Sequence, residues 1–311
     1  MYHFNSVRLV LGMALGVSAT SKCLTKQLYE FPNSTWVENI AMRPNGNLVL
    51  TSPATNMLYL FDPRASEPSV ALQIPNITSM TGIAEIAADE FVIAGAVVDA
   101  TTGSFSDSHF FVVDFSRHTA VLKQTLPGLS SGFPNGLAAL PSSHGVVLVA
   151  DSIGGRIWRV DTRLETVEVV LEDPTLAPGN DRLGVNGLKI QGQYLYYTSS
   201  TTGVLGRVKI SKDGRQFGPL EVVAELNIEG AWFDDFAIDP HGIIYAAVHP
   251  NTIERIWPNG TQEVLVGGNS TTLKVPTSVA ISKNGRSIFV TTGGEEISGT
   301  VFGGQVVEVK I

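Results

Sequence analysis

The chain has 311 residues, 43% of them hydrophobic and only 16% charged, enough apolar material to bury a large core. A net charge of −8 with no run of Lys and Arg argues against a nucleic-acid backbone or an anionic membrane as partner. Cys23 is the single cysteine, which excludes an intrachain disulfide, so stability has to come from burial and sheet closure.

Taken in chain order, Arg8 precedes an apolar run from Leu9 to Val17 and then Ser18-Ala19, the pattern of a signal peptide cleaved after Ala19. The expectation is a leader over residues 1–19, one domain over 20–311, and a secreted protein or one resident in the secretory pathway. Sequons at Asn33, Asn76, Asn259 and Asn269 agree with that route as glycosylation acceptors. Beyond the leader, short runs of Val, Ile, Leu and Tyr bounded by Gly, Pro, Asn and Asp recur to the end. No long stretch shows an apolar period of 3.6, so the chain reads as all-β.

These runs repeat one unit. A polar residue opens an apolar strand in ENIAMRP from Glu38, TGIAEIA from Thr81, NGLAALP from Asn135, NGLKIQG from Asn186, DDFAIDP from Asp234 and TSVAISK from Thr277. Successive leaders lie 43, 54, 51, 48 and 43 residues apart, the range of a circular array of sheet blades. A turn and a second strand follow each, then third strands such as MLYLFDP, HFFVVDF and RIWRVDT, and fourth strands such as SVALQIP and TVEVVLED. The sixth unit has no fourth strand, because the chain ends at Ile311, whereas QLYEF at 27–31 is an outer strand without a unit. The pattern predicts a six-bladed β-propeller of four-stranded blades, closed by an N-terminal strand that completes the last blade and covers its open edge. A β-sandwich would not explain the fixed register of the leaders.

Inner strands of a propeller begin around its central channel, so the six leaders are expected to form a ring at one mouth. Glu38, Asn135, Asn186 and Asp234 offer two carboxylates and two amide oxygens, a set suited to a hard cation such as Ca²⁺, while Thr81 and Thr277 add hydroxyls. Taken singly, each Asn-Gly or Asp-Asp pair also reads as a tight turn before a strand. Residues two before each leader share its direction and are Trp36, Ser79, Phe133, Gly184, Trp232 and Val275. Three large aromatics over a polar floor suit a pocket for a bulky, mostly apolar small molecule, the alternative being packing between blades. Second strands end near the same mouth at Ser52, Asp151, Ser199, His249 and Thr292, and His249 is the candidate for proton transfer. Asp151 reads as a turn former, and His144 and His241 as hairpin-turn residues. The sequence has no phosphate-cradling glycine loop, no G-x-S-x-G elbow and no context for a catalytic cysteine.

VEN at Glu38, PNG at Asn135, VNG at Asn186, DDFAID at Asp234 and VADSIGGRIWRVD around Asp151 resemble the regucalcin/gluconolactonase-like six-bladed propellers, from about Gln27 to Ile311. That resemblance implies a divalent metal, commonly calcium, on Glu38, Asn135, Asn186 and Asp234, and lactone opening. Asp235 stands where those proteins have Gly, which leaves open which aspartate is the ligand. TWVENIAMRPNGNLVLTS together with DDFAID is more specifically similar to a fungal natural-product branch that includes hetero-Diels-Alderases. These enzymes join a tropolone-derived quinone methide to a macrocyclic sesquiterpene such as humulene. The second resemblance implies a cycloaddition that requires no cofactor, for which the residues at the mouth offer Glu38, Asn135, Asn186, Asp234 and His249 as the catalytic candidates. Trp36, Phe133, Trp232, Thr81 and Thr277 would contact substrate. A calcium-dependent lactonase or esterase and a non-catalytic secreted binding propeller are the alternatives, in a monomer or weak oligomer.

Overall fold

In the computed structural model, residues 24–311 are described apart from 33–34, 100, 103, 118, 180–182 and 269–272. The expected leader over 1–19, Cys23 and the sequon asparagines Asn33 and Asn269 lie outside the described residues. The rest forms six four-stranded antiparallel sheets in a closed ring, the six-bladed propeller expected. Pro174–Leu176 is a single 3-10 turn, and no helix of the described residues is long and apolar enough to cross a membrane.

Blade one comprises Ile40–Met42, Leu48–Leu50, Met57–Phe61 and Ser69–Gln73; blade two comprises Ser79–Ala87, Glu90–Val98, Phe105–Asp114 and Val121–Pro127. Blade three is Pro134–Ala139, Val146–Asp151, Arg156–Asp161 and Thr166–Glu172, and blade four Val185–Gln191, Tyr194–Ser199, Val204–Ile210 and Gln216–Glu225. Blade five is Trp232–Ile238, Ile244–His249, Thr252–Ile256 and Gln262–Gly267. Blade six takes Pro276–Ile281, Ser287–Thr292 and Gln305–Lys310 from the end of the chain and its outer strand, Thr25–Glu30, from the beginning. An unforeseen hairpin, Glu295–Ile297 with Thr300–Phe302, is inserted in blade six between Gly293-Gly294 and Gly303-Gly304.

Six buried apolar clusters, one in each seam between neighbouring blades, replace a single core. Alternation within each strand produces this, since one face packs on the preceding blade and the other on the following one. At the closing seam, Leu48, Leu50 and Phe61 pack against Ala280, Phe289 and Val306.

Hydroxyls clasp the seams near the axis. Thr51 donates to the Thr81 carbonyl at 2.5 Å. Thr81 donates to Pro134 O, Ser152 to Val185 O, Thr198 to Asp234 O and Thr277 to Val37 O, each at 2.7 Å. The inner strands of blades two to six all break register at the leader, where an extra residue makes a β-bulge. The residue after the leader is glycine in blades two to four because the next inner strand leaves no room. A Cβ on Gly82 would stand 1.9 Å from Asn135 O, and one on Gly136 2.4 Å from Asn186 O.

Candidate functional site

Three of the six leading residues, Glu38, Asn186 and Asp234, face a cavity of about 400 Å³ at one mouth of the channel. Trp36, Pro53, Phe133, Leu183 and Trp232 line it with apolar surface, and Glu38, Asn186, Ser200, Asp234 and His249 with polar groups. Trp36 and Glu38 are two apart, and the indole Nε1 donates to Glu38 Oε2 at 2.5 Å. Trp232 faces His249 across a strand pair, with ring centroids 4.6 Å apart, and His249 Nε2 lies 2.9 Å from Asp234 Oδ2. Asn186 Nδ2 donates to Ser200 Oγ at 3.1 Å, and Ser200 donates to Phe233 O at 2.9 Å.

Burial above all, then the charge of Asp234 and less so that of Asp235, pushes the Glu38 carboxyl up from 4.5 to about 8, against the lowering bond from Trp36. Burial also raises Asp234, opposed by its hydrogen bond and charge interaction with His249. Two carboxyls facing one cavity therefore differ in kind: Glu38 holds its proton near neutrality, and Asp234 is tied to an imidazole.

The two aspartates separate clearly. Asp234 lines the cavity, whereas Asp235 Oδ1 accepts from Lys189 Nζ at 2.6 Å and from Phe236 N at 2.7 Å. Its Oδ2 accepts from Ser278 Oγ at 3.2 Å. Lys189 lines a second cavity of about 380 Å³, formed by the later residues of the inner strands.

Asn135 is 1% exposed and is absent from the cavity lining; both its amide atoms, like Asn186 Oδ1, are buried without a partner among the described residues. The Glu38 and Asp234 carboxyls, once ionised, and the two unpartnered amide oxygens fit a hard cation in donor chemistry. Among the described residues no group of three or more His, Cys, Asp or Glu could hold a metal, so any such ion would depend on the amides. Thr81 and Thr277 spend their hydroxyls on the blade seams and line no part of the cavity.

No protein-family model matches the chain. A protein of Phoma sp. named as a hetero-Diels-Alderase is 30% identical over 311 residues, covering 86% of this chain and 85% of that protein. The chain belongs to the hetero-Diels-Alderase family. A second member, named hetero-Diels-Alderase asR5, from Sarocladium schorii, is 30% identical over 253 residues, 70% of this chain; the match spans 61% of that protein's length. Among solved structures, the calcium-binding protein regucalcin from Agrobacterium tumefaciens strain C58 superposes with a TM-score of 0.67 at 17% identity, covering 93% of this chain and 95% of that one. A luciferin-regenerating enzyme gives 0.70 at 13% identity with the same coverages. These structures share the fold.

In this hetero-Diels-Alderase family member, sequence reasoning missed Pro53, Leu183 and Ser200. Pro53 lies three residues beyond the second strand of blade one and Ser200 one residue beyond that of blade four, where strand alternation no longer says which way a side chain points. Leu183 lies in the connection from blade three to blade four, just before Gly184, where a Cβ would stand 2.1 Å from the Leu176 carbonyl oxygen. Of the strand-end residues, His249 reaches the cavity, and Ser52, Asp151, Ser199 and Thr292 do not.

Proposed function

We propose that this cyclase binds a tropolone-type polyketide alcohol and an apolar terpene together in the central cavity and promotes a hetero-Diels–Alder cycloaddition. The observation that carries the reading is the cavity itself, aromatic and aliphatic on its walls, with an acid that holds its proton and an amide at its floor. Glu38 donates its proton to the side-chain hydroxyl of the alcohol, the C–O bond breaks and water leaves. The ring hydroxyl gives up the proton that restores the acid, and the product is an O=C–C=C heterodiene. The terpene alkene then adds across that system, forming one C–C and one C–O bond with no atom lost. Asn186, which lines the cavity, would offer its second amide N–H to the oxygen that gains charge. Holding both reactants in register is worth about 7–11 kcal/mol in lost translational and rotational freedom, and apolar walls keep water from the electrophile.

A second reading, a calcium-dependent lactonase, is supported by the unpartnered Asn135 and Asn186 oxygens beside two carboxylates. There Glu38, Asn135, Asn186 and Asp234 would hold the ion, which would polarise an ester carbonyl. Chelation separates the two. Adduct formation from alcohol and humulene should survive EDTA and fall at least about tenfold in Trp232→Ala. Hydrolysis of simple lactones that EDTA abolishes and calcium restores, with no adduct formed, would favour the lactonase. Secretion belongs to the same proposal, and two sequon asparagines, Asn76 and Asn259, are exposed as a glycan requires.

A further inference from the structure

The aromatic wall of the cavity has a second layer. Phe105, the first residue of the third strand of blade two, stacks on Phe133 with ring centroids 3.8 Å apart and planes 28° from parallel. It gets there through a feature peculiar to that blade. In blades three to six the second strand ends opposite the first residue of the inner strand. In blade two Ser79 pairs with Ala96, and the strand runs on to Val98, which pairs with Phe105. A register break between Gly95 and Val97 and a left-handed Asp107, φ +47°, bend this extension, the way a bulge re-aims a side chain beside a site. Val98 N donates to Thr78 Oγ1 at 2.8 Å and Ser108 Oγ to Leu129 O at 3.3 Å, which pins the extension on both flanks. Phe133 is pinned too, its N–H donating to the buried Asp151 carboxylate at 2.9 Å.

We infer that Phe105 is a positioning residue that makes Phe133 a rigid wall and so assigns the Phe133 side of the cavity, with Leu183, to the hydrocarbon reactant. The oxygenated reactant takes the side of Glu38, Asn186, Asp234 and His249. A ring backed by a stacked ring and fixed at its backbone loses little freedom when an apolar ligand arrives, which favours binding on that side alone. The naming of two reactants and the halves they take rests on the proposed cycloaddition; the backing of Phe133 by Phe105 and by Asp151 rests on the geometry.

The test is equilibrium binding of two probes to the full chain, humulene as hydrocarbon and tropolone as oxygenated ring. In Phe105→Ala the humulene Kd should rise about tenfold while that of tropolone moves by less than about twofold. An unchanged humulene Kd, equal weakening of both probes, or no humulene binding to the natural protein would each overturn the inference. Should Phe105→Ala fail to fold, Phe105→Leu carries the same comparison, with the selective loss reduced but retained. A protein that binds both probes yet forms no adduct from competent reactants would sink the cycloaddition and leave the role of Phe105 standing.

Discussion

Glu38 concentrates the chemistry of the floor, and its raised pKa has consequences for stability as well as catalysis. The folded protein binds the proton more tightly than the unfolded chain, so no penalty exists below the ordinary value of 4.5; stability is lost as pH rises from there through about 8. Glu38→Gln is expected to flatten that decline, measured as Tm between pH 5 and 8.5, and to lower cyclisation at pH 7 by about 10²-fold, the usual weight of a general acid. Gly293 tests the acid's partner without touching it. A Cβ there would stand 2.7 Å from the Trp36 indole, so Gly293→Ala should displace Trp36 and move the pH at which activity falls. Trp36, Glu38, Phe133 and Trp232 were legible in the sequence because the repeat register places each at or just before the start of an inner strand, beside the channel. Phe105 was not, because it reaches Phe133 through a bent extension that only blade two has, and a repeat hides what is unique to one of its copies.

The strand ends build the site, and each element does so by a local device. Asp151, the last residue of its strand, is fully buried and gathers Phe133 N, Gly154 N, Arg156 Nε and Trp158 Nε1 on one carboxylate. Removing it strands a guanidinium and three donors. Asp151→Ala should cost about 3 kcal/mol in urea unfolding and loosen Phe133 at the same time. The sequence marks this residue as a turn former, and the structure adds that the turn holds a cavity wall in place. Asn-Gly at 135–136 and 186–187 also reads as a turn signal before a strand. The register shows a bulge within each strand instead, since the glycine is demanded by a neighbouring blade that no single repeat reveals.

At the scale of the molecule, six seams and one closure make the site, since Glu38 and Asp234 meet only if the ring shuts. Thr25–Glu30 pairs along Gln305–Lys310, and Phe31 N donates to Gly304 O at 2.8 Å. Deleting residues 24–31 should expose the edge of blade six, lower Tm and produce aggregation visible by light scattering. This closure was readable from an orphan strand at one end and a missing strand at the other. The inserted blade-six hairpin was not, because its short strands carry no repeat partner. The central claim is that one cavity holds two reactants for a stereochemically defined addition. Its most direct measurement is the enantiomeric excess of the adduct formed by EDTA-treated protein from the polyketide alcohol and humulene. We predict a single enantiomer in excess from the natural protein and a racemic trace from Trp232→Ala; a racemic product at the protein-free rate would contradict the account.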